Sequence, residues 1–264
     1  VARLRTNHPD LAASKVIGEF QGSLANQGER LVLADASGAV VDEVEYGPRA
    51  VWGPWSHKGG SSLELLDAGS DHNEPANWAD SDETMKAPWS TIEFTGKLGA
   101  PGLGALNPSS LYVLLLGAGE CQLDDVEVID PFGANLVRNP DFESGLENWF
   151  CQGNHERSRF EANGFGSSGS IHLCASERGD TVVNRVGTHL NSIIVSRDQV
   201  TLRAKGRWLR GCPELLLRLI GNQLEAYGRL EVPRNLGTPG ARNSRAVANV
   251  GPFISELRHV PLLP

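Results

Sequence analysis

Aromatic residues make up only 6% of this 264-residue chain, which leaves little material for a flat stacking platform. No apolar run approaches the roughly 18 to 20 residues that a membrane helix needs, so no membrane span is expected. Basic residues are outnumbered: 24 Lys and Arg against 32 Asp and Glu give a net charge of -8, and the arginines are spread along the chain. Phosphate contacts need Lys and Arg clustered over one face, so no nucleic-acid partner is expected. The four cysteines, Cys121, Cys151, Cys174 and Cys212, lack the paired C-x-x-C spacing of a zinc ribbon. They read either as one or two disulfides of a secreted protein or as buried thiols in strands. A Gly-x-Ser-x-Gly elbow, an H-E-x-x-H pair and a phosphate loop are also missing, and the seven histidines are isolated, so no enzyme is expected.

What the chain does have is turn chemistry. Thirty glycines and fifteen prolines separate short apolar runs, which favours an all-β architecture. The length and the 40% hydrophobic content allow one large or two ordinary domains, and two main pieces are expected. The sequence begins at Val1 rather than Met and shows no signal peptide, so it reads as a processed or excised piece of a longer protein.

In chain order, Val1, Leu4, His8 and Leu11 suggest a short helix or turn. Leu31 to Leu33, a turn at Asp35 to Gly38, and Val40 to Tyr46 predict an antiparallel hairpin. The series Gly22-Ser23-Leu24, Asn26, Gly28-Glu29-Arg30-Leu31, Leu33, Gly38, Val40-Val41-Asp42, Val44, Tyr46, Trp55, Gly59-Gly60, Ser62-Leu63-Glu64-Leu65 and Asn77-Trp78 resembles the later half of a lamin tail domain. That resemblance implies a partial immunoglobulin-like sandwich over residues 1-86, of the kind found in large bacterial surface proteins. Its closing signature resembles Gly237-Thr238-Pro239-Gly240-Ala241-Arg242-Asn243-Ser244, far downstream. Either the intervening residues are inserted before that segment, or the signature belongs to a linker.

Residues 71 to 83 are acidic and turn-rich but lack the ligand spacing of an EF-hand, and they read as a solvated loop. Strands follow at Ser90 to Gly96, at Leu111 to Leu116, whose continuous apolarity predicts burial on both faces, and at Ser170 to Ala175, Val182 to Val186, Gln199 to Trp208 and Leu215 to Leu219. Within Gln199 to Trp208, Leu202, Ala204 and Trp208 share one face, and Arg203, Lys205 and Arg207 the other.

The run Asn135-Leu136-Val137, Asn139, Phe142-Glu143, Gly145 and Trp149 reads as a strand entering a β domain. It resembles the opening motif of carbohydrate-binding modules with the galactose-binding-like jelly-roll fold. The run Leu123-Asp124-Asp125-Val126 resembles the same modules' last strand, yet here it comes first. Residues 87-235 are therefore either one jelly roll with permuted motif order or the tail of one module and the head of another, and the normal domain size of the sum favours one. Residues 236-264 read as a linker and the start of a further sandwich domain. The fold class expected is all-β, a partial immunoglobulin-like sandwich plus a β-sandwich jelly roll.

The jelly-roll resemblance implies a structural calcium ion held by Asp124, Asp125, Asp141 and Glu143. The alternative reading of these carboxylates is as acceptors for strand-edge and backbone amides. It also implies a glycan face to which Asn184, Arg185, Arg203, Arg207, Trp208, Arg218, Glu225 and Tyr227 contribute. Burial of Trp149, Trp208 and Tyr227 would favour a scaffold over a binding module. The carboxylate pairs Glu120 with Asp125 and Glu143 with Glu147 leave glycoside hydrolysis as a third reading. The leading expectation is a non-catalytic extracellular or cell-surface module that binds a polysaccharide or cell-surface glycan, or spaces flanking domains of the same chain.

Overall fold

A computed structural model describes residues 12, 21-47, 52-57, 59-99, 107-194, 199-221, 224-233 and 254-261. The helix or turn expected near the N-terminus and the Gly237 to Ser244 signature lie outside the described residues. The described chain is all-β and antiparallel, in two compact units: residues 1-83 with 234-264, and residues 84-233.

In the first unit, β1 (Glu29–Asp35) and β2 (Val40–Tyr46) form the expected hairpin. The carboxylate of Asp35 accepts the N–H groups of Ser37 and Ala39, and Gly38 takes the positive φ that the turn demands. Glu29 is buried; its carboxylate accepts the Ala25 amide at 2.6 Å and the Tyr46 hydroxyl at 2.7 Å, which ties the entry of the hairpin to its exit. β3 (Leu63–Leu65) and β4 (Trp78–Asp80) form a second, short pair.

The second unit contains β5 (Ser90–Lys97), β6 (Ser110–Leu115), β7 (Gly119–Ile129), β8 (Trp149–Gln152), β9 (Arg159–Glu161), β10 (Ser170–Ala175), β11 (Arg185–His189), β12 (Gln199–Gly211), β13 (Glu214–Ile220) and β14 (Glu225–Arg229). They build two five-stranded sheets, ordered β5-β12-β7-β10-β9 and β14-β13-β6-β11-β8. Alternation sends Leu123, Ile171, Leu202 and Ala204 inward from one sheet and Leu111, Val113, Leu215 and Leu217 inward from the other, into one apolar core. The unit is a β-sandwich.

The last strand, β15 (Ile254–Pro261), runs antiparallel to β1, with Leu33 opposite Leu257. It lies along the edge of β1 that β2 leaves open, giving the order β15-β1-β2.

The stretch from Asn135 to Trp149 differs from a simple entering strand. Only Asn135 bridges to Ile129; turns follow until β8 begins at Trp149. Asn139, Phe142, Gly145 and Asn148 all take positive φ, so the segment coils instead of extending. Asn139 holds the coil: its Nδ2 donates to the carbonyls of Gly145 (2.9 Å) and Glu147 (3.1 Å), and its Oδ1 accepts Ser144 N–H at 3.1 Å. The Asn139 carbonyl accepts the Trp149 indole N–H, whose ring lies 5.0 Å from the fully buried Phe142 ring.

The strand expected from Val182 starts only at Arg185. Asp180 Oδ1 accepts the N–H groups of Val182, Val183 and Asn184, so those residues form a loop instead of pairing in a ladder. Of the outward residues in the run Leu111 to Leu116, expected to be buried on both faces, only Leu114 is buried, because the segment around His155 and Gly179 covers it; Tyr112 and Leu116 are half-buried. His155, also buried, accepts the Leu115 N–H on Nε2 at 3.1 Å, standing in for a neighbouring strand.

Two consequences are measurable. Asn139→Ala removes three hydrogen bonds from the coil and is expected to cost about 2 to 3 kcal/mol in urea unfolding, with Asn139→Asp intermediate because it keeps the acceptor. Burial lowers the His155 pKa to about 4, against the nearby Asp180 charge, which raises it. The unfolded chain takes up this proton first, so stability is expected to fall by about 3 kcal/mol as pH drops from about 6.5 to 4. His155→Gln should flatten that slope.

Candidate functional site

The outer faces of the two sheets carry the polar side chains, and they differ in chemistry. On the β5-β12-β7-β10-β9 sheet, the Asp-Asp-Val run forms a bulge. Arg203 and Lys205 of β12 stand opposite Glu127 and Asp124 of β7, so β7 has one extra residue there, and Asp125 takes a φ of 46°. The Val126 N–H donates instead to the Pro140 carbonyl at 2.9 Å, which seats the coiled turn on the strand.

The carboxylates expected to hold calcium meet around this bulge. Asp124 is buried; its Oδ1 accepts Asp125 N–H, and its Oδ2 accepts Phe165 N–H and the Ser167 hydroxyl, both at 2.6 Å. Burial raises its pKa against these bonds. Glu143 accepts the amides of Ser168 (2.7 Å) and Gly169 (3.1 Å) and the Ser168 hydroxyl, and the hydroxyl bond leads in holding its pKa below the usual value. Asp141 accepts the Glu143 amide at 3.4 Å. Asp125 is raised by burial and by its neighbours Glu127 and Asp141.

Calcium needs six to eight oxygens turned toward one point. Asp124 and Glu143 instead turn theirs to N–H and O–H donors of the 164-169 loop, so the residues present do not fit a calcium cage and match the hydrogen-bonding alternative. Among the described residues, the side chains whose ligand atoms lie within 4.8 Å of one another are Glu120, His172 and Cys174.

That cluster lies on the same outer face. Cys174 of β10 stands opposite Glu120 of β7, and His172 is two residues along β10 on the same side. His172 Nε2 lies 2.8 Å from Glu120 Oε2, and its Nδ1 faces Arg159 at 2.8 Å and Glu161 at 3.5 Å. Arg210 pairs with Glu120 at 3.3 Å. Burial disfavours charge at His172, but its contacts with Cys174 and Glu120 raise its pKa to about 9. Burial likewise raises Glu120, while the His172 bond and the charges of Arg210 and Arg159 bring it below its ordinary value.

The four cysteines are free thiols. Burial pushes the Cys121 thiol far up and Cys151 to about 11, so both favour the neutral thiol.

The residues expected on a glycan face divide between the sheets. Trp208 is 1% exposed and donates its indole N–H to the Gly211 carbonyl, so it belongs to the core and not to a binding surface. Arg203 pairs with Glu127 and Glu93 on the first sheet. Arg207, 5% exposed, bonds to Gln122 and lies 4.7 Å over the Trp89 ring. Asn184 is bound into the Asp180 turn and accepts the Asn154 amide.

Arg185, Arg218, Glu225 and Tyr227 fall on the second sheet. Register places Glu225, Arg218, Tyr112, Gly187 and Phe150 opposite one another, one from each of β14, β13, β6, β11 and β8. Arg218 and Glu225 form an ion pair at 3.2 Å. The Tyr112 and Phe150 rings meet at 6.1 Å over Gly187, where a Cβ would strike Phe150. Arg185 stacks 4.3 Å over Tyr112, and His189 extends the ring series at 5.8 Å from Phe150. Tyr227 is 56% exposed.

Tyr112, Phe150 and His189 were not anticipated. Tyr112 hid in an apolar run, and Phe150 becomes visible as an outward residue only from the inward direction of Trp149, by strand alternation.

No protein-family model, curated protein or solved structure matches this chain. No helix among the described residues is long and apolar enough to cross a membrane.

Glu143→Ala is expected to lower the melting temperature by the same amount in calcium and in chelator, because it removes loop-anchoring hydrogen bonds. A loss confined to calcium would instead assign a metal.

Proposed function

We propose that the chain is a non-catalytic extracellular module whose sandwich, with a jelly-roll-like arrangement, binds a polysaccharide or cell-surface glycan on the outer face of its β14-β13-β6-β11-β8 sheet. The carrying observation is the crosswise row Glu225-Arg218-Tyr112-Gly187-Phe150. Strand spacing gives such a row a span of about 19 Å, the scale of a short oligosaccharide. Aromatic faces suit the apolar C–H surface of a sugar ring, and the Arg218 and Glu225 groups suit its hydroxyls. Gly187, with no side chain, lets the Phe150 and Tyr112 rings close over the backbone, so their apolar surface is continuous. The other unit, with its lamin-tail-like motif series, then serves as a spacer.

A purely structural pair of domains is the second reading, and one observation favours it. The Arg185 guanidinium covers the Tyr112 ring, and Trp149 and Trp208, two of the unit's three tryptophans, are buried and serve the fold. Glycoside hydrolysis finds less support. Glu120 is engaged by His172 and Arg210, and Glu143 by Ser168 and Gly169.

Thermal melting against plant, algal and bacterial polysaccharides tests the first reading, since a ligand that prefers the native state raises the midpoint. One class is expected to give a shift. Phe150→Ala should weaken that binding by about 10-fold, or about 1.4 kcal/mol, whereas Arg203→Ala on the opposite sheet should leave it unchanged. No shift with any polysaccharide would favour the spacer.

A further inference from the structure

We infer that Glu120, His172 and Cys174 form a binding site for a zinc ion on the outer face of the β5-β12-β7-β10-β9 sheet.

The donor set carries the choice of metal. A thiolate sulfur, an imidazole nitrogen and a carboxylate oxygen together suit a borderline-soft divalent ion, whereas calcium and magnesium take oxygen alone. Three protein ligands with a fourth position open to water is a common zinc arrangement.

The geometry is close to what zinc requires. Zinc bonds of about 2.0 to 2.3 Å in a tetrahedron put the ligand atoms about 3.3 to 3.8 Å apart. The three donor atoms here lie within 4.8 Å of one another, with His172 Nε2 and Glu120 Oε2 at 2.8 Å. Changes of about 1 Å, within reach of small side-chain rotations, close that difference. The backbone is already fixed, because β7 and β10 pair through five consecutive registers that include Glu120 opposite Cys174.

A supporting shell is present as well. A zinc-bound His directs its other ring nitrogen to a carboxylate or carbonyl that fixes the tautomer. His172 Nδ1 faces Glu161 Oε2 at 3.5 Å, and Glu120 is steadied by Arg210 at 3.3 Å. Arg159 occupies the place of a counter-cation: its Nη2 lies 2.8 Å from His172 Nδ1 and its Nη1 3.5 Å from Cys174 Sγ. Arg159 is exposed and free to withdraw. Zinc binding then releases two protons to solvent, one from the Cys174 thiol and one from His172 Nε2, leaving a neutral imidazole with Nε2 on the metal and its Nδ1–H donating to Glu161.

The test is zinc titration of the full, reduced chain, with bound metal counted after removal of free ion, repeated with cobalt, whose bond to a thiolate gives a charge-transfer band. One ion per chain and a thiolate band are expected in the native sequence. Both should be lost in Cys174→Ser and in His172→Gln, with melting profiles confirming that each variant folds. Glu161→Gln should weaken zinc binding by about 10- to 100-fold while leaving the band in place, as an orienting residue does. Arg159→Ala should bind zinc at least as tightly as the native chain. Absence of zinc binding by the reduced native chain, or undiminished binding in folded Cys174→Ser, overturns the proposal.

Discussion

The sandwich depends on how its central strand β7 is interrupted. A regular strand would have paired with β12 along its whole length, but the extra residue at Asp125 frees the Val126 amide to meet the Pro140 carbonyl. That bond fixes where the coil of residues 139 to 149 sits, and the coil delivers Phe142 and Trp149 into the core. Just before the bulge, alternation after inward Leu123 turns Asp124 away from the core, where its buried carboxylate gathers the 164-169 loop. Glu143 grips that loop from the coil's side. The loop in turn leads into β10, which carries His172 and Cys174. A local irregularity thus sets the register of a distant surface, as bulges commonly do.

This arrangement explains what was legible in the sequence. Strands with clear alternation, such as β12 and β13, were readable because each buries one face, and a one-residue slip would expose every Leu. The Asn-Leu-Val to Trp run was readable as a landmark but not as a shape. Its residues are chosen for positive φ and side-chain-to-backbone bonds, which leave no periodic trace. The loop before Arg185 was missed for the same reason: Val182 and Val183 are good strand formers, and three amides bound to Asp180 override that preference. The pairing of β15 with β1 joins segments more than 200 residues apart, and no local pattern reports it.

The candidate sites were partly legible. Residue type picked out Arg185, Arg218, Glu225 and Tyr227, but only strand order places them on one face and sends Arg203 and Arg207 to the other. Trp208 carries the same chemistry as a platform aromatic, yet its direction was fixed by Leu202 and Ala204 sharing its face. The Glu120, His172 and Cys174 cluster had no spacing signature. Its members come from two strands 52 residues apart, and cross-strand pairing alone unites them.

The two outer faces satisfy their polar groups in different ways, and this bears on what each can bind. On the β5-β12-β7-β10-β9 sheet, charges alternate across the strands, with Glu93, Arg203 and Glu127 in one row and Arg210 and Glu120 in another. A neutral ligand gains little there, because it must break ion pairs that it cannot replace. A cation differs, since it brings the charge that a displaced arginine takes away, and only the end of the sheet near β9 offers it sulfur and nitrogen. The opposite sheet has rings beside two ion pairs, Arg218–Glu225 and Arg229–Glu214, both between β13 and β14, so a neutral, hydroxyl-rich chain can cover apolar carbon while leaving those pairs intact. Because the two faces look outward from opposite sides of one core, occupation of either need not disturb the other, and coupling between them would have to pass through Leu123, Ile171, Leu111 and Val113, the packed layer they share.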